Sequence, residues 1–321
     1  MDFGKKLINW YSIHKRDLPW RTTKNPYYIW LSEIILQQTQ VKQGLPYYSA
    51  FIAKYPTVFD LADASEESVL KLWQGLGYYS RARNLHTTAK YIAKDLDGIF
   101  PNNYKALITL KGVGDYTASA IASFAFNEVE AVVDGNVYRV LARYFGIDTP
   151  INSTRGIKEF KALATSLIDE ERPATYNQAI MELGATLCKP QNPDCYSCPI
   201  KEGCVSLQKN QITALPVKLK KTKVTTKYFN FLVIVDSDKK VLFEKRVRKG
   251  IWQNLYQFPL VESKKSISAE EFHLLDLNNA FSQGSVFDYV LYNEVDIVHK
   301  LSHQHLHTKF WIIDMKHSIN K

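Results

Sequence analysis

Apolar residues along the first two thirds of the chain follow the spacing of helices. The segment 27–40, YYIWLSEIILQQTQ, is mostly apolar and contains neither Gly nor Pro, which is typical of a largely buried helix. Gly and Pro at 75–77, 112–114 and 173 predict joints between elements. Residues 1 to about 205 are therefore predicted to be helical almost throughout, with further helices at 66–74, 81–95, 104–110, 116–126, 135–144 and 157–168.

The pattern changes after Cys204. The segment 216–227, PVKLKKTKVTTK, carries five lysines and no acidic residue, a composition typical of a linker. Beyond it, β-branched and aromatic residues in partial alternation predict strands at 228–236, 240–246 and 294–314. The sequence thus predicts three parts: a mainly α-helical domain over 1–215, a basic linker over 216–227 and a smaller α+β domain over 228–321.

The charge balance of the chain indicates which kind of molecule it binds. The 321 residues include 41 Lys and Arg against 32 Asp and Glu, a formal net charge of +9, and 19 Tyr that suit base stacking. An excess of positive charge favours an anionic partner, most commonly nucleic acid. No run of about 18 apolar residues exists, which excludes a membrane span, and the N-terminus has no secretory apolar region. We therefore expect a cytoplasmic protein that acts without a membrane.

All four cysteines lie within seventeen residues, at Cys188, Cys195, Cys198 and Cys204. Such confinement favours ligation of a metal by four thiolates, and a cytosolic setting disfavours disulfides. Four thiolates serve either Zn²⁺ or a [4Fe–4S] cluster. Zinc more often uses two short pairs, and only one short pair is present here, so the spacing favours the cluster.

A glycine-rich turn between two predicted helices suits binding of a phosphate backbone. Gly112 and Gly114 permit a tight turn and a close approach of the main chain to another surface. The helix that follows begins at about Tyr116, and its first amides would face an anion. A simple packing corner between two helices could carry the same glycines, so this pattern alone leaves both interpretations open.

Two carboxylates stand where acid–base chemistry is possible. Glu33 lies within the most apolar helix, where desolvation would raise its pKa toward that of a general acid; the alternative is a place on that helix's polar face. Asp134 lies just before a helical segment, where an N-cap is the simpler explanation. A capping carboxylate would stay ionised and could also face a developing cation. Paired carboxylates with contrasting pKa values are what cleavage of a glycosidic bond requires.

Six motifs occur in order along the chain: LPWR at 18–21, WLSEIILQQTQV at 30–41, LWQGLGYYSRARNLH at 72–86, LKGVGDYTASAI at 110–121, VDGNVYRVLAR at 133–143 and the cysteine loop. Together they closely resemble the MutY family, the adenine DNA glycosylases that act on adenine mispaired with 8-oxoguanine. The resemblance covers about residues 7–207 strongly and implies a helix–hairpin–helix glycosylase body of the endonuclease III type, with the hairpin at about 104–126 and a [4Fe–4S] loop at 188–204.

The resemblance implies roles for individual residues. Glu33 matches the catalytic acid, Asp134 the carboxylate that stabilises the sugar cation, and Tyr116 and Asn136 residues that line the site. Trp20, Arg21 and Gln178 match residues that contact the extruded adenine. Gln38 and Tyr78 match side chains that enter the duplex beside 8-oxoguanine. Gly112 and Gly114 match the hairpin glycines that approach the DNA backbone.

Position 116 separates two classes of glycosylase. Relatives that also cut the strand carry Lys two residues after the second glycine of the hairpin, where it forms a Schiff base with the sugar. This chain has Tyr116, and a phenol cannot form an imine. The sequence therefore predicts hydrolysis of the N-glycosidic bond with no or weak lyase activity.

The C-terminal segment resembles, more loosely, the Nudix-like domain that recognises 8-oxoguanine in this family. The residues WQNLYQFP at 252–259 fit its signature, and no acidic metal-binding helix is evident after Pro259, so we expect no nucleotide hydrolysis. Ser302 and His303 match the loop that contacts 8-oxoguanine. Leu301 stands where the family usually has Phe, which keeps an apolar contact but loses an aromatic face.

The leading hypothesis is a monomeric adenine glycosylase that acts on double-stranded DNA with 8-oxoguanine:adenine or guanine:adenine mispairs. One alternative is a bifunctional glycosylase/lyase of the endonuclease III type, which Tyr116 and the C-terminal domain disfavour. The other is a non-catalytic iron–sulfur DNA-binding protein, which the presence of both Glu33 and Asp134 disfavours.

Overall fold

The computed structural model describes residues 3–219, 224–277, 287–301, 303–316 and 318. The chain divides into two compact units, Met1–Leu219 and Lys220–Lys321. The first consists of helices and the second is built on a β-sheet. No helix within the described ranges is long and apolar enough to cross a membrane.

The first unit contains a succession of α-helices joined by short connections. In chain order they are α1 Phe3–His14, α2 Pro26–Leu36, α3 Val41–Lys54, α4 Val58–Asp63, α5 Glu66–Leu72, α6 Ser80–Asp95, α7 Tyr104–Leu107, α8 Asp115–Phe126, α9 Gly135–Phe145, α10 Thr154–Leu167, α11 Pro173–Thr186 and α12 Val205–Gln208.

Helix α2 is the buried helix that the apolar segment 27–40 predicts. The Asn25 side chain accepts a hydrogen bond from the amide of Tyr27, and Pro26 supplies the fixed φ suited to a first helical position. The helix ends at Leu36, four residues earlier than predicted. Its last carbonyls are bonded instead to the guanidinium of Arg81, which lies on α6. Tertiary contacts therefore end this helix at a point that its apolar pattern does not mark.

The core beside the predicted catalytic residues is formed where α1, α9 and α11 pack together. Leu7, Leu141 and Leu183 are completely buried there, and Phe160 of α10 closes the cluster. Helix α9 begins directly after Asp134, so burial of its apolar side fixes the position of that carboxylate.

The second unit contains a five-stranded sheet. Its strands and those of a two-stranded ribbon are β1 Thr225–Val235, β2 Glu244–Lys245, β3 Tyr256–Gln257, β4 Leu260–Ser263, β5 Phe287–Leu291, β6 Ile297–Lys300 and β7 Gln304–Met315. The sheet order is β4-β1-β7-β5, and β6 also pairs with β7. The central pair β1 and β7 is parallel, and the other pairs are antiparallel.

Three features of the second half differ from the sequence prediction. The predicted strand 294–314 is two strands, β6 and β7, which pair with each other in antiparallel orientation. The predicted strand 240–246 reduces to the two residues of β2 and one bridge from Val241 to Val235. Strand β1 begins at Thr225, inside the segment predicted as linker.

The beginning of that segment is bonded to the helical unit. Main-chain carbonyl and amide groups of Val217 and Leu219 pair with the loop before α10, where Ile151 donates to Val217 at 3.0 Å and the Asn152 side chain accepts from Leu219 at 2.8 Å. Residues 216–219 therefore belong to the first unit.

Candidate active site

A cavity of about 490 Å³ opens in the helical unit between α2, α8, α9 and α11. Its volume is in the range of small-molecule sites. It brings together seven residues that the sequence places at the reaction or at the adenine: Trp20, Arg21, Glu33, Tyr116, Asp134, Asn136 and Gln178.

Glu33 reaches this cavity from within α2 and is only 5% exposed. The Tyr116 hydroxyl donates a hydrogen bond to its carboxylate, with 2.5 Å between the oxygens. Burial raises the pKa of Glu33 to about 7; the Tyr116 hydrogen bond and the charge of Arg21 oppose this rise, whereas the charge of Asp134 adds to it. Glu33 can therefore hold and release a proton near neutral pH.

Asp134 is the N-cap of α9. Its side chain accepts from the amides of Asn136 and Val137, both at 2.8 Å, and from the Asn136 side chain at 2.6 Å. Burial raises the pKa of Asp134, while these three hydrogen bonds favour the ionised form. Capping and a role toward a developing cation are thus compatible in the geometry, because the carboxylate also lines the cavity.

Asn136 is held in turn by Arg139, one turn further along α9. The guanidinium donates to the Asn136 side-chain oxygen at 2.8 Å, to the carbonyl of Gly184 at 2.7 Å and to the carbonyl of Cys188 at 2.7 Å. A continuous series of hydrogen bonds therefore joins Asp134 to the start of the cysteine loop.

The cavity is also lined by an ion-pair cluster that the sequence did not reveal. Glu182 is fully buried, and its carboxylate accepts from Arg16 at 2.7 Å and from Arg21 at 2.6 Å. Burial raises the pKa of Glu182, but the hydrogen bonds from the two arginines outweigh it and lower the value to about 2. Glu182 lies one turn after Gln178 within a largely apolar helix, the same signal that drew attention to Glu33.

Trp20 and Gln178 are also held by specific contacts. Trp20 packs edge-on against Tyr48 with the ring centroids 5.0 Å apart, and the Tyr11 hydroxyl donates to the Gln178 side-chain oxygen. The Arg21 guanidinium lies over the Tyr11 ring at 5.6 Å. These side chains form a wall with both apolar and hydrogen-bonding surfaces.

The glycine turn has the geometry that its sequence suggests. Gly112 adopts φ +79°, and a Cβ there would lie 2.6 Å from the Cβ of Asn84, so any larger residue would be both strained and crowded. Gly114 precedes the first turn of α8 without a capping side chain, which leaves the helix amides directed at the turn.

Gln38 and Tyr78 do not line the cavity. Both are exposed, and both adopt the left-handed backbone conformation that non-glycine residues rarely take, with φ values of 54° and 46°. Each follows directly after a residue whose carbonyl is bonded to Arg81: Gln37 and Gly77.

The four cysteines line a second, smaller cavity and carry no disulfide. Arg143 of α9 donates to the Cys188 sulfur at 3.4 Å and to the carbonyl of Lys189 at 2.8 Å. Across the described residues, no group of three or more His, Cys, Asp and Glu side chains is arranged to hold a single metal ion.

Of the two residues predicted to recognise 8-oxoguanine, Ser302 lies outside the described residues. His303 lines a pocket of about 330 Å³ in the second unit, together with Lys227, Arg246 and Arg248. Its carbonyl accepts from the amide of Thr225 at 3.1 Å. Leu301 packs on the apolar cluster of Phe229, Phe231 and Leu306.

Two family models match separate parts of the chain. Residues 31–163 match the HhH-GPD superfamily of base excision DNA repair proteins, and residues 230–320 match the NUDIX domain. The predicted helix–hairpin–helix glycosylase body and the Nudix-like C-terminal domain are thereby confirmed.

Relatives that carry the name adenine DNA glycosylase align over most of the chain. The adenine DNA glycosylase of Buchnera aphidicola subsp. Baizongia pistaciae is 38% identical over 99% of this chain and 88% of its own length. That of Mus musculus is 46% identical over 67% of this chain and 44% of its own length. Among solved structures, a thermostable thymine-DNA glycosylase is 31% identical with a TM-score of 0.60, over 64% of this chain and 95% of its own.

Proposed function

The chain belongs to the adenine DNA glycosylases, enzymes of base excision repair, and from this premise we propose that it removes adenine paired with 8-oxoguanine or guanine and leaves the strand uncut. The observation that carries the proposal is the cavity in which the Glu33–Tyr116 hydrogen bond faces the capped Asp134. This cavity is large enough for a purine, and it presents a proton donor, Glu33, and an anion, Asp134, to the same bound base and sugar.

We propose that Glu33 acts as general acid. Its carboxyl group gives a proton to a ring nitrogen of the extruded adenine, and the bond between that base and the sugar C1′ then breaks with its electron pair passing to the base. The Tyr116 hydroxyl, 2.5 Å from Glu33, orients the carboxyl group and stabilises the carboxylate left behind.

Asp134 is proposed to stabilise the sugar cation that this cleavage creates. Its carboxylate is fixed by the first turn of α9, so it needs no rearrangement as positive charge develops. A water molecule then adds to C1′ and passes a proton to the Glu33 carboxylate, which restores the acid. Trp20, Arg21 and Gln178 are proposed to bind the adenine while Asn136 positions Asp134.

The first prediction concerns the pH dependence of excision. Because Glu33 must be protonated and its pKa is about 7, the single-turnover rate should be sustained below pH 7 and fall about tenfold per unit above it. The measurement is the rate of adenine release between pH 6 and pH 9 at constant ionic strength. A rate that is independent of pH across this range would contradict the assignment.

The second prediction tests the proposed function as a whole. A duplex with adenine opposite 8-oxoguanine should yield strand breaks only after alkali, because Tyr116 offers no amine for a Schiff base. The matched control is the same duplex with thymine in place of 8-oxoguanine opposite the adenine, and it should remain intact. Breaks without alkali would support the bifunctional alternative, and absence of any product would support a non-catalytic DNA-binding protein.

We further infer that Cys188, Cys195, Cys198 and Cys204 hold a [4Fe–4S] cluster. All four line one cavity. Zinc sites more often use two short cysteine pairs, and this segment has only one, Cys195 and Cys198, which favours the cluster. When bound, such a cluster supplies structural support or electron exchange.

The third prediction concerns the iron content that a [4Fe–4S] cluster would give the protein. Protein purified without oxygen should contain about four irons per chain and absorb visible light as iron–sulfur proteins do. Cys198→Ser should lose most of the iron, whereas Ser206→Ala, in the same segment, should retain it. Stoichiometric zinc in place of iron would contradict this inference.

Recognition of the mispair is proposed to involve both units. Gln38 and Tyr78 are exposed on the helical unit and are proposed to enter the duplex beside 8-oxoguanine, with Gly112 and Gly114 at the backbone. In the second unit, Ser302 and His303 are proposed to contact 8-oxoguanine, and the basic residues that share a pocket with His303 suit a nearby phosphate. We propose that the protein acts as a monomer in the cytoplasm.

A further inference from the structure

Arg81 joins two segments that are far apart in the sequence. It lies in the first turn of α6, and one end of its guanidinium, Nη1, donates to the carbonyls of Ile34, Ile35 and Gln37 at 3.0, 3.1 and 2.6 Å. The other end, Nη2, donates to the carbonyls of Leu76 and Gly77, both at 3.3 Å. One side chain thus connects the end of α2 with the loop before α6.

The surroundings of Arg81 distinguish it from a DNA-binding arginine. It donates to main-chain carbonyls, and no carboxylate among the described residues forms an ion pair with it. The guanidinium lies over the rings of Trp73 and Tyr78, at 5.0 and 5.8 Å. Burial lowers the pKa of Arg81 to about 10, which still leaves it charged at neutral pH. A group held in this way is occupied by the protein itself.

The two segments that Arg81 connects are those that carry Gln38 and Tyr78. The carbonyl of Gln37 shares a rigid peptide plane with the amide of Gln38, and the carbonyl of Gly77 shares one with Tyr78. Fixing these two carbonyls therefore fixes the orientation of the peptide groups that precede Gln38 and Tyr78. Both adopt a positive φ, a conformation that persists in non-glycine residues only where the surroundings enforce it.

We propose that Arg81 is a positioning residue for base extrusion. By bonding the carbonyls of Gln37 and Gly77 at the same time, it fixes the positions of Gln38 and Tyr78 relative to each other, so that both side chains can enter the duplex together. The proposal rests on the role proposed above for these two residues. Arg81 does not line the active cavity, so its contribution is to extrusion of the adenine and not to cleavage of the bond.

The geometry requires the planar fork of an arginine. A lysine keeps the charge, but its donors all lie on one nitrogen, whereas the guanidinium directs one nitrogen to each segment. Arg81→Lys therefore separates positioning from charge, since a residue that served only as a cation would tolerate this change.

The experiment is a mutant cycle measured as single-turnover excision from an adenine:8-oxoguanine duplex with enzyme in saturating excess, so that inactive protein does not alter the rate constant. Arg81→Lys should slow the wild-type reaction about tenfold or more, because the observed excision rate falls in proportion to the fraction of adenine that is extruded. In the Gln38→Ala/Tyr78→Ala background it should slow the reaction less than about twofold, because coupled residues are not additive. An equal factor in both backgrounds overturns the proposal.

A second readout isolates extrusion. In a Glu33→Gln background, 2-aminopurine placed at the target position should gain fluorescence as it leaves the stack, and Arg81→Lys should reduce this gain. Lys90→Gln, an exposed position on the same helix, should leave it unchanged. An undiminished signal in Arg81→Lys overturns the proposal. If Arg81→Lys does not fold, Arg81→Gln, which has a shorter side chain with all its donors on one nitrogen, replaces it in both measurements.

The failure of this inference differs from failure of the proposed function. If Gln38→Ala/Tyr78→Ala excises adenine at the wild-type rate, the proposed role of these residues is wrong and the inference falls with it. If that double variant is slow but Arg81→Lys is not, only the inference about Arg81 is wrong.

Discussion

Replacing Glu33 with Gln is expected to slow adenine excision by about a thousandfold, within the range for loss of a general acid–base group. The amide oxygen can still accept the hydrogen bond from Tyr116, so the cavity should keep its shape. What the variant loses is the proton that the buried carboxyl group holds near neutral pH. The measurement is the single-turnover rate at pH 7 together with the affinity for the same duplex.

The affinity distinguishes a chemical defect from a folding defect. Glu33→Gln should bind the mispaired duplex as tightly as the wild-type protein, and its residual rate should no longer fall above pH 7. Glu67→Gln makes the same change at an exposed position of the helical unit and should retain full activity. Excision by Glu33→Gln at a rate within threefold of wild type would show that another group donates the proton.

Asp134→Asn is expected to slow excision by about a hundredfold to a thousandfold, as removal of a preorganised stabilising group does in other enzymes. Asn is itself a good N-cap, so the bonds from the amides of Asn136 and Val137 can persist. The variant therefore removes the negative charge that faces the developing sugar cation while α9 keeps its start. The measurement is again the single-turnover rate, with thermal unfolding followed in parallel.

A second substitution that keeps the helix cap and removes the negative charge checks that the loss of activity comes from the charge. Asp134→Ser also provides a cap and also lacks the charge, so it should be as slow as Asp134→Asn and unfold at a similar temperature. Asp63→Asn, at an exposed position, is the matched control and should behave as wild type. If either variant at position 134 were active while unfolding normally, Asp134 would be only a cap.

Glu33 stands out in the sequence because it breaks a local rule, whereas Asp134 follows one: Asp is a preferred N-cap residue, and only the resemblance to the MutY family implied its further role. A Glu within the most apolar helix is costly unless it has a purpose, and its burial in the structure agrees with that expectation. Glu182 breaks the same rule on α11, yet its neighbours in sequence do not reveal the partners that neutralise it. Arg16 and Arg21 lie more than 160 residues away along the chain.

The end of α2 shows why other features could not be predicted. The segment 27–40 has no Gly or Pro after Leu36, so local preference favours continuing the helix to Gln40. The structure ends it early because Arg81 draws the final carbonyls toward α6. Gln38 and Tyr78, each of which follows a residue whose carbonyl is bonded to Arg81, adopt positive φ values.

Sequence by itself determined the helical body with its glycine turn, the β-rich second unit, the four grouped cysteines and the acidic residue at each of two helices. These features depend on residue type and on spacing along the chain, which local physics can interpret. Tertiary structure alone decided which of these side chains share a cavity, how the arginines neutralise Glu182, and where α2 ends. Those properties depend on burial and on hydrogen bonds between distant segments, and the desolvation that raises the pKa of Glu33 exists only once the helices have packed around it.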